Sequence, residues 1–399
     1  MPGVTTLSVT IDGRSLTDAS SYRGLGTYVR QLVAGLAAIP DLDLSVLAEP
    51  AGRLPSGVGR IPLAHRVPDR WATAEHQFLL ARQLARLGRR VGGRRVGGHC
   101  AGPADWVFHS PALDPPRRVG LPWVQTIADV LPLIDPHPAY AVERRRWRRW
   151  AARVRSADAV IALSRHSAEQ AVRHLGVSPD RVQVIHLAPD PHYRPADDAT
   201  APAKAGARAG ADPEPKRGPY LLSVGEYAPH KGFSELGLVM SELVRAGLPH
   251  RLVVAGRVTE QWRAEMEKAL GSGGSEARGR IDVIGWVPDL LSLYQGAEAL
   301  VCTSRHEGFG LPLVEAMATA TPVVAFANSA VTEVVGNGGA LVADGDCTAM
   351  AGRLAEILGD PSRRLEAAGA ARRRSGCFSW AETLRGHVEV YRLVAGRAA

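Results

Sequence analysis

The residues best placed to do chemistry lie in one short segment, Thr303-Ser-Arg-His-Glu-Gly-Phe-Gly-Leu-Pro-Leu-Val-Glu-Ala-Met317. Pro312 suits the first position of a helix, so the amides of Phe309 to Leu311 should point outward from a helix N-terminus, where anions bind. Glu307 should lie on the loop and Glu315 about one turn into the helix. Because two carboxylates would repel phosphate, we expect them to accept hydrogen bonds from sugar or ribose hydroxyls. The segment predicts a ligand with anionic and polyol parts.

A second candidate for anion binding is Lys231, in the segment Ser223-Val-Gly-Glu-Tyr-Ala-Pro-His-Lys-Gly232 between a predicted strand and a predicted helix. Gly225 ends the strand where backbone could approach a ligand. The positive N-terminus of a helix disfavours lysine, and only four of the 48 Lys and Arg side chains are lysines. A lysine at this turn therefore indicates a bound anion, with an ordinary exposed lysine as the alternative.

The elements that position these residues follow from the hydrophobic pattern. Short apolar or β-branched runs alternate with amphipathic stretches, which is typical of doubly wound parallel α/β domains. Six strands are predicted in each half: Leu7–Ile11, Leu44–Ala48, Trp106–His109, Trp123–Ile127, Ala159–Leu163 and Val182–Leu187, then Tyr220–Val224, Arg251–Ala255, Ile281–Ile284, Ala299–Thr303, Val323–Phe326 and Ala340–Val342. Two sets of strands predict two sheets, with ligands bound at the carboxyl ends of the strands.

The predicted domain boundary is the stretch from Pro195 to Pro219, which is rich in Ala, Pro, Asp and Gly and has little to bury. It predicts an N-terminal domain over residues 1–195, a flexible linker over 196–218, a C-terminal domain over 219–378 and a final helix over 379–399. A cleft between two α/β domains is the expected place for a ligand.

Composition excludes several classes of function. The net charge of +8 accompanies abundant Arg, Ala, Gly and Pro, as in GC-rich genomes, so it is weak evidence for nucleic acid, and we expect no such partner. The sequence has no run of 18 apolar residues, so we expect no helix that spans a membrane. The first residues predict a strand rather than a signal peptide, and we expect a cytoplasmic protein. The four cysteines show no CxxC pair or other spacing typical of metal ligands, so we expect a reduced protein without disulfides or bound zinc.

The first half has two weaker candidates. Gly24-Leu25-Gly26 opens a predicted helix but does not match the dinucleotide fingerprint, because Val29 occupies the third glycine position. This disfavours a nicotinamide-dependent enzyme. His109 ends a strand in Phe-His-Ser-Pro and would face the cleft if the topology holds. A loop histidine is the alternative.

Taken together, these motifs closely resemble those of the retaining glycosyltransferases of family 4, over nearly the whole chain. The spacing of Glu307 and Glu315 resembles the E-x7-E signature, VGEYAPHKG the diphosphate loop, and IDVIGWVPDLLSLYQGAEALVCTS the nucleobase loop with the helix and strand after it. The tail FSWAETLRGHVEVYRLV resembles the last helix, which crosses back to the first domain. The resemblance implies the GT-B fold, two Rossmann-like doubly wound parallel-sheet domains facing each other across a cleft.

The resemblance also implies an activity, the transfer of a glycosyl group from a nucleoside-diphosphate sugar to an acceptor hydroxyl, without a further cofactor. Glu315 would bind the ribose, Glu307 the donor sugar and Lys231 the diphosphate. The implied donor-binding residues are Gly24, Leu25, Gly26, Gly225, Lys231, Gly285, Trp286, Val287, Glu307, Phe309, Gly310, Leu311 and Glu315. The implied catalytic residues are Glu307, Lys231 and Asp129, and the acceptor-binding residues are His109 and Asp129.

The sequence departs from the family pattern in two places. Trp123-Val-Gln-Thr-Ile-Ala-Asp129 resembles the T-[IV]-H-D stretch, with Ala128 where relatives have a histidine beside the donor sugar. Three interpretations stay open: a donor sugar that needs the room, a polar contact from His109 or Asp129, or binding without effective turnover. Many relatives have an arginine directly after the glycine or directly before the lysine, which completes the phosphate clamp. In this sequence those two positions are Glu226 and His230. Protonated His230, or Arg305, could substitute for it.

Two Asp-x-Asp pairs and one arginine-rich predicted helix bear on metal and membrane binding. The Asp-x-Asp pairs Asp41–Asp43 and Asp344–Asp346 are expected away from the cleft, with Asp346 capping a helix, so we predict catalysis without a metal. The predicted helix Ala141–Arg155 could lie on an anionic membrane as a peripheral contact at the inner membrane face. It could instead line an acidic acceptor site or pack into the core behind a solvated Arg face.

Two other functions are compatible with these departures. Ala128 and Glu226 would suit a catalytically weak partner protein that binds nucleotide sugars. The same scaffold also supports epimerases, which interconvert donor sugars with no acceptor. For a transferase, the acceptor class suggested by composition is a natural-product scaffold or a cell-surface glycan.

Overall fold

The computed structural model describes residues 6–16, 24–48, 54–62, 95–96, 99–100, 106–111, 121–196, 218–271 and 274–398. They form two compact units. Unit 1 contains the chain up to Leu187 and from Trp380 onward, and unit 2 runs from Ala188 to Ser379. Each unit is a parallel-sheet α/β fold, which confirms the predicted fold class. Of the predicted linker, residues 197–217 lie outside the described residues.

Unit 1 is built on a seven-stranded parallel sheet. Its strands are β1 (Leu7–Asp12), β2 (Leu42–Ala48), β3 (Gly59–Pro62), β6 (Trp106–Ser110), β7 (Trp123–Ile127), β8 (Ala159–Ala162) and β9 (Val182–Val184), and a separate antiparallel pair consists of β4 (Arg95–Val96) and β5 (His99–Cys100). The large sheet has the order β3-β2-β1-β6-β7-β8-β9. All six strands predicted for this half are present. The sequence analysis missed β3, β4 and β5, which are short and lack the apolar runs that mark the others.

The described residues of unit 1 before Leu187 form four α-helices. They are α1 (Gly24–Leu36), α2 (Leu131–Ile134), α3 (Ala141–Val154) and α4 (Arg165–Gln170), the last continued by a π-helical turn over Ala171–Leu175. Trp147 of α3 is buried in the core, and its ring meets the half-buried ring of Trp150 edge-on at 5.8 Å. The structure therefore shows core packing of one side of this helix, and the membrane and acceptor contacts expected for its arginine face stay predictions.

Unit 2 is built on a six-stranded parallel sheet. Its strands are β10 (Tyr220–Val224), β11 (Arg251–Ala255), β12 (Ile281–Gly285), β13 (Ala299–Cys302), β14 (Val323–Phe326) and β15 (Ala340–Val342), in the order β12-β11-β10-β13-β14-β15. Its helices are α5 (Phe233–Arg245), α6 (Glu260–Leu270), α7 (Ser275–Gly279), α8 (Leu291–Gly296), α9 (Leu311–Ala318), α10 (Ser329–Val335), α11 (Cys347–Leu358) and α12 (Pro361–Ser375). Phe233 and Trp262 pack edge-on against each other in the core of this unit.

The last helix, α13 (Trp380–Ala398), belongs to unit 1. Thr383 Oγ1 donates a hydrogen bond to the backbone oxygen of His186 at 2.8 Å, and Gly35 of α1 lies against the side chain of Leu384. Among the helices that the structure describes, none has both the length and the apolar character needed to cross a bilayer.

Candidate functional site

The two segments singled out in the sequence meet where the strand order of unit 2 reverses. The chain crosses from β12 at one edge back to β13, which lies on the other side of β10, so β10 and β13 are neighbours. Lys231 follows β10, and Glu307 follows β13. In an open parallel sheet, the crevice for a ligand lies outside the carboxyl ends of the strands at such a switch point.

Backbone contacts hold the two loops together. Lys231 ends a 3-10 turn, and Gly232 follows with φ 61°. A Cβ atom at Gly232 would lie only 2.1 Å from the backbone oxygen of Thr303, so glycine is required for this approach. Thr303 Oγ1 donates to the Lys231 backbone oxygen at 3.2 Å, and the Arg305 amide donates to the His230 backbone oxygen at 2.7 Å. The lysine is thereby fixed beside the acidic loop.

The Lys231 and Glu307 side chains form an ion pair. Lys231 Nζ donates to Glu307 Oε1 at 2.6 Å, and the side chains are 22% and 15% exposed. Burial alone would raise the pKa of Glu307, but the attraction of Lys231 and its hydrogen bond outweigh burial and lower that pKa below the usual value. Glu307 is therefore ionised at neutral pH.

The N-terminus of α9 lies in the same pocket. Gly310 precedes the helix with φ 94°, Leu311 is the first helical residue and Pro312 the second, one position later than predicted. Lys231, Glu307, Gly310 and Pro312 line one pocket together. Since the first amides of a helix have no acceptor within the helix, this turn can bind an anion next to the lysine. The buried ring of Phe309 packs edge-on against Phe378 at 5.7 Å and anchors the turn.

Glu315 is the fifth of the eight residues of α9 and is only 7% exposed. The hydroxyl of Tyr294 donates to Glu315 Oε2 at 2.9 Å. Burial raises the pKa of Glu315 to about 7; the Tyr294 hydrogen bond acts against this shift, and the charge of Asp190 adds to it. The carboxyl group is therefore close to half ionised at neutral pH.

The predicted nucleobase loop follows β12. Gly285 ends this strand with φ 74°, Trp286 is 41% exposed and Val287 is buried. Gly225 follows β10, and Gly256 follows β11, the strand between β10 and β12. A Cβ at Gly256 would lie 1.8 Å from the Gly225 backbone oxygen, so glycine at 256 lets the loops after β10 and β11 approach each other. Their contacts with a ligand stay predictions.

In unit 1, the predicted donor contacts Gly24, Leu25 and Gly26 form the first residues of α1, while residues 17–23 of the loop before them lie outside the described part. Asp129 is half-buried and follows β7. Its Oδ1 accepts a hydrogen bond from the Leu131 amide at 2.9 Å, so this carboxylate supports the start of α2.

His109 requires a correction. Its side chain is fully buried, with Nε2 2.7 Å from Thr126 Oγ1 and Nδ1 2.7 Å from the Tyr391 hydroxyl. Burial, together with the neighbouring His387, lowers the pKa of His109 well below its usual value. Both ring nitrogens are engaged inside unit 1, so the acceptor contact predicted for this residue does not fit. His109 instead ties β6 to α13.

Side-chain contacts bear on two further expectations. Arg305 donates from Nε to Glu235 Oε1 on α5 at 3.0 Å, and its part in a phosphate clamp stays a prediction. Asp346 caps α11 as predicted, accepting from the Ala349 amide at 2.8 Å. Asp344 accepts from Asn328 Nδ2. Over the described residues, no cluster of three or more His, Cys, Asp or Glu side chains could hold a metal ion.

Sequence reasoning missed the surroundings of Glu315. Tyr294 lies within the segment assigned to the nucleobase motif and carries the one signal that could have found it, a hydroxyl on an otherwise apolar helix face. Asp190 and Tyr193 come from a stretch that the sequence placed in the first domain but that belongs to unit 2. Tyr193 meets the ring of Tyr294 edge-on at 5.6 Å. Nothing local in the sequence indicates this contact.

Comparison with known proteins gives two family matches. Residues 22–193 match the model described as Glycosyltransferase Family 4, and residues 209–374 match the model described as Glycosyl transferases group 1. The chain is 29% identical over 306 residues to an alpha-D-kanosaminyltransferase of Streptomyces kanamyceticus, covering 74% of this chain and 75% of the relative. It is 27% identical over 387 residues to the O-antigen chain mannosyltransferase B of Escherichia coli, covering 93% and 96%.

Solved structures share the fold over almost the entire chain. The sucrose-phosphate synthase of Thermosynechococcus elongatus superposes with a TM-score of 0.74 at 21% identity, covering 98% of this chain and 100% of that one. The Anabaena protein HepE in complex with UDP-glucose superposes with a TM-score of 0.66 at 15% identity, covering 98% and 99%. At these identities the likeness shows the fold alone, which is GT-B.

Proposed function

Because the chain belongs to the glycosyltransferases of group 1 and family 4, we propose that it moves a sugar from a nucleoside-diphosphate sugar to an acceptor hydroxyl with retention of configuration. The observation that carries the proposal is the meeting of Lys231, the N-terminus of α9 and Glu307 at the switch point of unit 2. Lys231 and the first amides of α9 would bind phosphate. Glu315, about one helical turn into α9, would accept hydrogen bonds from ribose hydroxyls.

The donor assignment follows the order of these groups. The diphosphate would lie between Lys231 and the turn Phe309–Leu311, and Glu315 would accept hydrogen bonds from the ribose. Trp286, the exposed residue after β12, would lie beside the base. The Anabaena structure similar in fold holds UDP-glucose, which supports a nucleotide sugar as the donor class.

The reaction requires stabilisation of the departing diphosphate while the sugar gains oxocarbenium character. Lys231 and the α9 amides would face the growing negative charge from fixed positions, which commonly lowers a barrier by several kcal/mol, of the order of 3 for one lost donor. Ionised Glu307 would lie against the donor sugar and its developing positive charge. No side chain is proposed as a covalent nucleophile, so retention would come from attack on the face that the leaving group occupies.

For the acceptor, we propose a contact in unit 1. Asp129 follows β7 where the family pattern places its catalytic stretch, and one of its oxygens already supports α2. The second oxygen would accept a hydrogen bond from the acceptor hydroxyl. The names of the relatives, a kanosaminyl- and a mannosyltransferase, support glycosyl transfer with differing sugars.

A ligand screen followed by a turnover assay tests the proposal. Thermal unfolding with UDP, GDP, dTDP or ADP should show stabilisation by one base, about 2.7 kcal/mol at 100 times the Kd. The matching sugar nucleotide should then glycosylate a pooled set of acceptors and release the diphosphate. Absence of binding at millimolar nucleotide would overturn the proposal. Binding without transfer would favour the partner protein, and sugar interconversion without acceptor would favour an epimerase, neither of which the relatives support.

A further inference from the structure

The carboxylate assigned to the ribose is held by one hydroxyl group. Tyr294 on α8 is fully buried, and its OH donates to Glu315 Oε2 at 2.9 Å. A carboxylate offers about four lone pairs, so a bond at Oε2 leaves Oε1 available to a ligand. The direction of the Tyr294 bond therefore sets which oxygen of Glu315 is presented.

Tyr294 is itself fixed independently of Glu315. Its backbone oxygen accepts a hydrogen bond from Thr321 Oγ1 at 2.7 Å, just beyond the C-terminus of α9. Its ring lies edge-on to Tyr193, at 5.6 Å between centroids and 85° between planes. These two contacts fix the tyrosine at the α8–α9 interface, so the hydroxyl can orient the glutamate rather than follow it.

The charged and titratable groups around this pair come from three elements. Asp190 and Tyr193 lie on the segment before the linker, where His192 Nε2 is 3.0 Å from the Asp289 carboxylate, and Cys302 ends β13. Burial first and then the charge of Asp190 favour protonated Glu315, and the Tyr294 hydrogen bond opposes them. A ribose hydroxyl that donates to Glu315 would act in the same direction as Tyr294, toward the carboxylate.

We propose that Tyr294 is a positioning residue that presents Glu315 as a carboxylate to the ribose hydroxyls, so that donor binding releases the Glu315 proton to solvent. The inference rests on the proposed donor site of unit 2 and adds a residue that the family motifs did not assign. It requires that donor affinity rise with pH across the titration of Glu315, because the ionised form accepts hydrogen bonds from the Tyr294 and ribose hydroxyls more strongly than the protonated form does.

Calorimetric titration of the full chain between pH 5.5 and 8.5 tests the inference. The probe is UDP-, GDP- or dTDP-glucose, whichever binds, since the diester phosphates of a sugar nucleotide do not titrate in this range. Wild-type affinity should fall up to about tenfold per pH unit below the midpoint. Tyr294→Phe should weaken binding about tenfold at pH 7 and move the midpoint about one unit upward, as expected for a lost hydrogen bond to a charge.

Tyr220→Phe is the matched control. Tyr220 is also buried in unit 2, and its hydroxyl donates to the backbone oxygen of Leu293, the residue before Tyr294. This variant removes a hydrogen bond from the same helix without touching Glu315, so the midpoint should stay in place. Glu315→Gln should abolish the pH dependence. An unchanged midpoint in Tyr294→Phe, or an equal shift in Tyr220→Phe, overturns the inference while the proposed function stands.

If Tyr294→Phe does not fold, Tyr294→3-fluorotyrosine keeps the shape and makes the hydroxyl a stronger donor. The midpoint should then move downward, and a midpoint that stays or rises overturns the inference. A wild-type chain that binds no sugar nucleotide overturns the proposed function itself. The two failures are therefore distinguishable.

Discussion

Lys231 Nζ lies 2.6 Å from Glu307 Oε1, although 76 residues separate the two in the chain. Each side chain comes from a loop after one of the two central strands of unit 2, and the ion pair bridges the point where the strand order reverses. The lysine assigned to the diphosphate therefore already has a carboxylate partner. A diphosphate must share the ammonium group with Glu307 or take its place, so donor binding rearranges this pair.

The first prediction concerns the charge of Lys231. Lys231→Met keeps the apolar stem and removes the ammonium group, so transfer should fall about 10²- to 10³-fold, the loss typical of one stabilising donor. Lys231→Arg should retain part of the activity because the charge remains. The measurement is the initial transfer rate with the donor found by the nucleotide screen.

Lys268→Met is the control for this prediction, because Lys268 is exposed on α6 of the same unit. It should transfer sugar at the wild-type rate. Equal rates for Lys231→Met and Lys268→Met would remove Lys231 from the mechanism.

The second prediction concerns the close approach at Gly232. Gly232 and Gly247 both have positive φ, 61° and 76°, but a Cβ at Gly247 meets nothing within 4 Å, while one at Gly232 meets a backbone oxygen. Gly247→Ala should cost about 1 kcal/mol of backbone strain and leave nucleotide binding unchanged. Gly232→Ala should cost about 3 kcal/mol or more and weaken binding at least tenfold, because the lysine turn must move away from β13.

Urea unfolding and nucleotide titration of both variants check this prediction. The difference between them isolates the steric contact from the strain that they share. Similar losses of stability and unchanged binding in both would mean that the approach of the two loops does not position Lys231.

Much of this site could be predicted because strand ends are legible in the sequence. Once strands are predicted to end at Val224 and Thr303, the carboxyl-end rule brings Lys231 and Glu307 to one edge of the sheet, and the structure shows them in contact. The apolar runs that mark the strands also confirm the parallel α/β class.

The errors arose where burial depends on a distant element. His109 looked available because it ends a strand, but Tyr391 reaches it from 282 residues away on α13. Tyr294 is absent from the predicted site because its partner Glu315 lies on another helix. No local pattern predicts which side chain covers a strand end, since tertiary packing alone decides it.

The third prediction concerns stability and the raised pKa of Glu315. The folded-state pKa of about 7 exceeds the usual 4.5, so the native state retains a proton that the unfolded state loses. The contribution of Glu315 to the stability of unit 2 is constant below pH 4.5. It falls as the pH rises to 7, by about 3 kcal/mol in total. Glu315→Gln should therefore stabilise unit 2 by about 2–3 kcal/mol at pH 8 and change little at pH 4.5, while donor binding is weakened but still measurable.

Urea unfolding at the two pH values checks the sign. Glu267→Gln on α6, where the side chain is exposed, should show no such difference between the two pH values. Stabilisation of Glu315→Gln that is equal at both pH values would exclude ionisation of this carboxyl group as the cause.

The last prediction concerns the buried histidines that join α13 to unit 1. His387 is fully buried; its Nδ1 must donate to the Thr383 backbone oxygen, so Nε2 accepts from the Tyr28 hydroxyl at 2.7 Å. Burial lowers the pKa of His387 to about 4, and only the Thr383 hydrogen bond acts against this shift. The unfolded chain binds protons that the native state excludes. The contribution of His387 to the stability of unit 1 is therefore fully present above pH 6.5. It falls toward pH 4, by about 3 kcal/mol.

His387→Gln keeps a hydrogen-bonding side chain but cannot be protonated. It should cost about 2 kcal/mol at pH 7, since one buried hydrogen bond is lost, and then lose less stability than wild type between pH 7 and 4.5. Hydrogen exchange of α13 peptides across a urea series reads this part of unit 1 separately. His174→Gln on the exposed surface should follow the wild-type curve. If wild type and His387→Gln lose equal stability in acid, the buried imidazole is not the group that makes α13 sensitive to acid.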